Sequence, residues 1–256
     1  MKLHYREMGH GQPLLILHGL FGTSDNWQTL AKRLAENYNV FLVDLRNHGR
    51  SPHSDQHDYD VMAADVLALV DELQIPTPAI MGHSMGGKVA MNYALKYPTR
   101  LTKLIVVDIA PKAYPPHHDE IIDALQSVDL STVTSRGEVD AQLAKTIKED
   151  EVRLFLMKNL YRKEDNTFGW RMNLDAIEKN YGKIAAAITS DVPFKKHTLF
   201  IKGGRSRYIL PEDIYSSIEH LFTLVEVETV PNAGHWVHAE APDQVYELVS
   251  NFLEAQ

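Results

Sequence analysis

A chain of 256 residues, 44% hydrophobic and 23% charged, has an ordinary globular composition and the length of one large α/β domain or one domain with an insertion. It contains no cysteine, which excludes a disulfide framework, a thiolate nucleophile and a cysteine metal site. A net charge of -8 argues against a nucleic-acid footprint, and no apolar run approaches the length of a membrane span.

Residues 2–8 alternate in polarity and predict an antiparallel edge strand. Residues 13–17 form a continuous apolar run that ends at His18-Gly19 and reads as a buried strand. Trp27, Leu30, Ala31 and Leu34 then fall at helical spacing over 26–37. A second strand is expected at 39–44, a helix at 59–73, a third strand at 78–82, a helix at 85–96 stopped by Pro98, and a fourth strand at 101–108. Strands alternating with helices at this spacing mean βαβ units and a parallel sheet.

The rhythm changes from 113 to 190, where strand-like runs vanish. Helical patterns are expected at 119–125, 135–148, 151–160 and 173–188, with Pro115-Pro116 at the entry and Pro193 past the exit. A structureless loop of this length is out of place in a compact domain, so the stretch reads as an inserted helical lid. The sheet resumes at 197–202, followed by a helix near 211–220, a strand at 223–230 and a terminal helix at 242–253.

Gly82-His83-Ser84-Met85-Gly86 is a G-x-S-x-G pattern between an expected strand and an expected helix. A serine on such a sharp turn is lifted above the sheet, and the flanking glycines remove side chains that would collide. The helix N-terminus and the Met85 N–H are then aimed at the place where an oxyanion forms. The plainer alternative is a glycine-rich turn with a helix-capping serine. His235, in Asn232-Ala233-Gly234-His235-Trp236, follows the last strand and is suited to take the hydroxyl proton and return it to a leaving group. His238 stands three residues on and is expected near the start of the terminal helix. The loop His18-Gly19-Leu20-Phe21-Gly22 offers a second N–H for the oxyanion, that of Leu20.

The acid needs more argument. The loop 202–208 holds no carboxylate, and Glu212 and Asp213 suit a helix start. Asp108, at the end of the strand after the Ser84 helix, lies at the edge where open α/β sheets put their chemistry. It would hold the His235 tautomer, with Ser206 hydrogen-bonded beside it. Phe21, Trp27, Met85 and Trp236 are candidates for an acyl pocket, and Arg46, Asn47 and His48 for bracing a loop. His117-His118 reads as solvated.

Several strings together resemble the YbfF-type esterases and related α/β-hydrolase domain-containing proteins. They are 18–22, Asp44-Leu45-Arg46-Asn47-His48-Gly49-Arg50-Ser51-Pro52, 82–87, 107–111, Phe168-Gly169-Trp170-Arg171-Met172-Asn173-Leu174 and Gly234-His235-Trp236-Val237-His238. The resemblance implies an α/β-hydrolase fold, with a mostly parallel central sheet flanked by helices and an inserted helical lid. The core is then 1–112 and 191–256, and the lid 113–190. It implies hydrolysis of a small-molecule acyl ester or thioester, with the acid at Asp108 and a serine at Ser206 beside it. Asp175 is a competing acid in the lid segment. Arg205 and Arg207 depart from the pattern and raise the question of an anionic substrate.

No metal, organic cofactor, nucleic acid or membrane span is expected. A monomer or small homo-oligomer in the cytoplasm is. Ser at position 84 disfavours haloalkane dehalogenase and epoxide hydrolase chemistry, which need a carboxylate nucleophile. Carbon–carbon bond hydrolases, haloperoxidase-like enzymes and a non-catalytic small-molecule binder on the same fold stay open.

Overall fold

The computed structural model describes residues 1–116 and 118–255; His117 lies outside them. In chain order the strands are β1 (Tyr5–Gly9), β2 (Gln12–Leu17), β3 (Tyr38–Val43), β4 (Ala79–His83), β5 (Leu104–Val107), β6 (Leu160–Arg162), β7 (Phe168–Trp170), β8 (Phe194–Gly203) and β9 (Phe222–Val230). The helices are α1 (Gln28–Leu34), α2 (Tyr59–Glu72), α3 (Met85–Lys96), α4 (Asp119–Ser127), α5 (Arg136–Leu143), α6 (Asp150–Met157), α7 (Leu174–Lys179), α8 (Tyr181–Ala185), α9 (Pro211–Asp213), α10 (Glu219–Leu221), α11 (Val237–Glu240) and α12 (Pro242–Glu254).

Seven strands form one sheet in the order β1-β3-β2-β4-β5-β8-β9, and β6 and β7 pair separately. Every pairing in the large sheet is parallel except β1 with β3, so the first segment is the antiparallel edge that its alternation predicts. Successive side chains of β2 point to opposite faces, and both faces are covered. Leu15 and Leu17 join a core with Met62 and Val66 of α2 and Val89 of α3. Leu14 and Ile16 join another with Leu30 and Leu34 of α1 and Val245 and Val249 of α12. Burial on both sides is why the run reads as continuous rather than alternating. Each such side chain contributes about 1.5–3 kcal/mol on leaving water.

Between β5 and β8 the expected helices form with two departures, and the helix expected past β8 shows a third. Residues 160–170 are a two-stranded hairpin and not the helix end and loop expected, because Asn166 takes φ 67° and turns the chain. The helix expected over 173–188 is two, α7 and α8. The break is at Asn180, whose amide donates both to Ala176 O and, across to the core, to Asp55 O. The helix near 211–220 carries a π turn over Ile214–Ile218, where the Ser217 hydroxyl bonds back to Asp213 O.

Backbone and side-chain hydrogen bonds tie this segment to the core. Asn159 Nδ2 donates to Phe21 O at 2.6 Å, Asn173 N to Asn47 O at 2.9 Å, and the Tyr59 hydroxyl to Ile184 O at 2.6 Å. Arg46 makes a buried two-point pair with Asp65 at 2.6 and 3.0 Å, so it braces its loop as expected. Among the described residues, no helix is long and apolar enough to cross a membrane.

Candidate active site

Strand order explains why distant residues meet. β4, β5, β8 and β9 are neighbours, so the turns at their C-terminal ends form one row along the sheet rim. Ser84 follows β4 and Asp108 follows β5; Ser206 lies past β8 and His235 past β9. Ser84 N donates to Val107 O at 3.0 Å and Asp108 N to Ile201 O at 2.8 Å, so each residue still belongs to the ladder as the chain turns away.

Both turns use strained backbone. Ser84 has φ 52° and ψ -120°, and Asp108 has φ 50°. Such conformations cost about 1–3 kcal/mol each and persist where the surroundings over-determine them. A Cβ on Gly82 would strike the Gly86 carbonyl, and one on Gly86 would strike the carbonyls of Leu17 and His18. The spacing of the G-x-S-x-G pattern is therefore a packing requirement of this turn.

Asp108 is fully buried, and both of its carboxylate oxygens accept hydrogen bonds. Oδ1 accepts the Gly203 N–H at 2.9 Å; Oδ2 accepts His235 Nδ1 at 2.8 Å and the Ser206 hydroxyl. Ser206 Oγ in turn accepts the Tyr208 N–H at 3.2 Å. With Nδ1–H held by the carboxylate, the other imidazole nitrogen carries the free lone pair. Asp175 sits on the exposed side of α7, so the arrangement around His235 uses Asp108 and not Asp175.

Two residues that the sequence did not single out hold His235 in place. Tyr208 stacks on the imidazole with centroids 3.9 Å apart and planes 19° apart. His83 Nε2 donates to the His235 carbonyl at 2.8 Å. Ser84 and His235 line the same cavity. Among the described residues, the Ser84 hydroxyl makes no hydrogen bond. Contacts of this kind often close only once substrate is bound.

The loop 18–22 is set by a histidine pair. His18 Nε2 accepts the Leu45 N–H at 3.0 Å, which leaves Nδ1 protonated and donating to Gly19 O at 2.8 Å. A trans peptide carries its N–H opposite its C=O, so fixing the Gly19 carbonyl also fixes the direction of the Leu20 N–H. The Phe21 N–H is taken by His48 Nε2 at 3.2 Å, and His48 Nδ1 donates to Arg46 O at 3.0 Å. Of these loop donors, Leu20 N–H therefore stays available, beside Met85 N–H at the start of α3, which has no intrahelical acceptor. Burial pushes the pKa of His18 down and that of His48 well down, which favours the neutral rings that these bonds require.

Two cavities meet at Ser84. A cleft of about 250 Å³ is lined by Phe21, Trp27, Phe155, His235 and Trp236 among others, which brings together the apolar candidates except Met85. A smaller chamber of about 40 Å³ has Met85, Tyr59, Lys88, Ile109 and Ile184 in its wall. Trp27 is 2% exposed and stacks on His238 at 3.8 Å, so it is core as well as wall. His238 lies in α11, the short helix that runs directly into the terminal helix α12, near where the sequence places it, and burial pushes its pKa down to about 3.

His118, expected to be solvated, is instead half-buried. It lies edge-on to Phe21 and within 2.7 Å of the Tyr181 hydroxyl, because the chain between β5 and β8 folds back over the cleft. Neither arginine of the loop after β8 lines either cavity. Arg205 pairs with Glu240 at 3.1 Å, and Arg207 is exposed at a separate recess. Among the described residues, no cluster of three or more His, Cys, Asp or Glu is placed to hold a metal ion.

Lys88 is the other residue that the sequence reading passed over. It is 1% exposed on α3, one helical turn beyond Ser84, and Nζ donates to Lys112 O at 2.8 Å and Ala186 O at 2.6 Å. The signal was there: a lysine within an otherwise small and apolar stretch, Gly86 to Ala90.

A nucleophile-elbow serine on a parallel-sheet rim, with a carboxylate-held histidine beside it, defines the serine-type α/β hydrolases. The chain belongs to the alpha/beta hydrolase fold family, whose match runs over residues 12–242. It is 35% identical over 260 residues to esterase YbfF of Escherichia coli, covering 99% of each chain. It is 38% identical over 254 residues to sn-1-specific diacylglycerol lipase ABHD11 of Danio rerio, covering 96% of this chain and 80% of that one. Among solved structures, one described as a marine microorganism esterase superposes with a TM-score of 0.96 at 42% identity, covering 98% of this chain and 99% of that one.

Proposed function

We propose that this chain is a carboxylic ester hydrolase that works through an acyl-enzyme on Ser84, cleaving acyl esters or thioesters of small molecules. Ser84 attacks the carbonyl as His235 takes its proton. Asp108 keeps the imidazole in the productive tautomer and stabilises the imidazolium. The N–H groups of Leu20 and Met85 receive the oxyanion, where one such donor is typically worth about 3–4 kcal/mol. His235 returns the proton to the departing alcohol or thiol, and water then cleaves the acyl-enzyme by the reverse sequence. Ser206 and Tyr208 position the acid and the base. Residues 113–190 act as a cap over Ser84 and take part in substrate choice.

The single observation that carries this reading is the 2.8 Å bond from His235 Nδ1 to the buried Asp108, on the rim that also bears the strained Ser84. The esterase and lipase names of the relatives support the same class. Labelling by a fluorophosphonate probe and turnover of p-nitrophenyl esters test it together. Both should be lost in Ser84→Ala, turnover by roughly 10⁶-fold on the precedent of serine proteases. An unlabelled wild-type chain without ester turnover would favour a binding protein on this fold.

A further inference from the structure

We propose that Asn159, on the segment that covers Ser84, is a positioning residue for the oxyanion: it holds the loop 18–22 in the strained shape that aims the Leu20 N–H at the reacting carbonyl, so that the oxyanion site is complete only while the cap is seated. This rests on the reading of Ser84 as the nucleophile and deepens it by a residue that lines neither cavity.

The loop is a turn closed by the Gly22 N–H on Gly19 O at 2.9 Å, and Phe21, its third residue, has φ 59°. That conformation favours glycine, because a Cβ crowds the backbone there. A phenylalanine keeps it only while its surroundings hold it. Once released, Phe21 returns to negative φ, and the rigid peptide between Leu20 and Phe21 swings with it. The Leu20 N–H, one residue back on the same turn, then loses its direction.

Both peptide groups that flank Phe21 are held. On the core side, its N–H donates to His48 Nε2 at 3.2 Å. On the cap side, its carbonyl accepts Asn159 Nδ2 at 2.6 Å. Asn159 is itself anchored in the cap: Nδ2 also donates to Leu156 O at 3.2 Å, and its carbonyl accepts the Arg171 N–H at 2.9 Å. A second cap residue grips the core-side tie. Asn173 donates its N–H to Asn47 O at 2.9 Å and its side-chain amide to Asn47 Oδ1 at 3.2 Å. Asn47 has φ 63° and immediately precedes His48. The cap thus bears on Phe21 from both sides.

The Asn159 amide is fully buried and unevenly used. Nδ2 serves two carbonyls, while Oδ1 has no partner among the described residues. An unpaired buried oxygen destabilises the fold. An apolar residue of similar size would pack between α6 and β6 without that penalty. What it could not supply is the donor for Phe21 O.

Kinetics on p-nitrophenyl acetate, an ester small enough to touch the cap least, test this in Asn159→Leu, with Asn159→Ala as the second variant if leucine does not fit. Acylation and deacylation both pass through an oxyanion, so a misaimed donor slows both steps. kcat and kcat/KM should fall together by about 10–100-fold, with KM unmoved. A trifluoromethyl ketone reads the oxyanion itself: Ser84 Oγ adds to its carbonyl carbon, the C=O electron pair moves onto oxygen, and His235 holds the serine proton. Its Ki should rise by the same factor. Asn180→Ala cuts another tie between cap and core, the bond to Asp55 O at 2.8 Å, and should leave kcat unchanged.

A raised KM with kcat kept, an unchanged Ki for the ketone, or an equal loss of kcat in Asn180→Ala would each overturn the role given to Asn159 while leaving Ser84 the nucleophile. A wild-type chain with neither ester turnover nor fluorophosphonate labelling would overturn the esterase reading itself, and this inference with it.

Discussion

Replacing Lys88 by methionine should make stability less dependent on pH, by an amount the structure allows to be worked out. The ammonium has no carboxylate partner among the described residues; it faces the rings of Tyr59 and Tyr114 and two backbone carbonyls. Burial pushes its pKa from 10.5 down to about 7. Between those values the unfolded chain binds more protons than the folded one, so stability rises with pH across that window and is flat below it.

One proton of difference is worth about 1.4 kcal/mol per pH unit, and at pH 7 only half of it is in play. From pH 7 to 9 the wild-type chain should therefore gain about 2 kcal/mol that Lys88→Met does not. A neutral amine keeps two N–H donors for two carbonyls, so the tie across the segment survives deprotonation. Loss of those two hydrogen bonds in the variant adds an offset that is the same at both pH values. Methionine conserves most of the volume and keeps that offset small enough to measure. Urea unfolding of both proteins at pH 7 and pH 9 reads the two gaps directly. If the gap is the same at both, Lys88 is not the buried titrating group described here.

Asp108→Asn should lower kcat by about 10⁴-fold with the fold intact, because the amide holds the wrong imidazole tautomer. Asp175→Asn, on the exposed side of α7, should leave kcat unchanged, and the reverse result in the same assay would move the acid to the capping segment. Acid should unfold the protein through its buried histidines. Burial lowers the pKa of His18, takes those of His48 and His83 well down, and takes His57 to about 4 and His238 to about 3, against 6.5 in the unfolded chain. The unfolded state binds the extra protons, so the Tm should fall steadily from pH 6.5 toward pH 4, and a Tm unchanged over that range would contradict it.

Much of the scaffold is written into local sequence because the physics there is local. Continuous apolar runs mark strands buried on both faces, and 13–17, 78–82 and 101–108 lie on or overlap β2, β4 and β5. The elbow is equally local: glycines at 82 and 86 are demanded by carbonyls a few residues away or on the adjoining strand. Asp108 is singled out as the candidate acid by elimination and by its place at a strand end. The hairpin of β6 and β7 was missed because strands of three residues are too short for periodicity to register, and the turn over 163–167 that joins them looks like any polar loop.

The sequence by itself determined the serine, its turn and the sheet that carries it, since those depend on spacing along the chain. Only the tertiary structure decided what stands around them. Tyr208 on the His235 ring, His83 on its carbonyl, and Lys88 across residues 112 and 186 are contacts between segments brought together by strand order. Nothing in the local pattern of a tyrosine or a lysine records which distant carbonyl or ring it will meet. The unequal cavities on either side of Ser84 exist only once the segment between β5 and β8 has folded back over the rim.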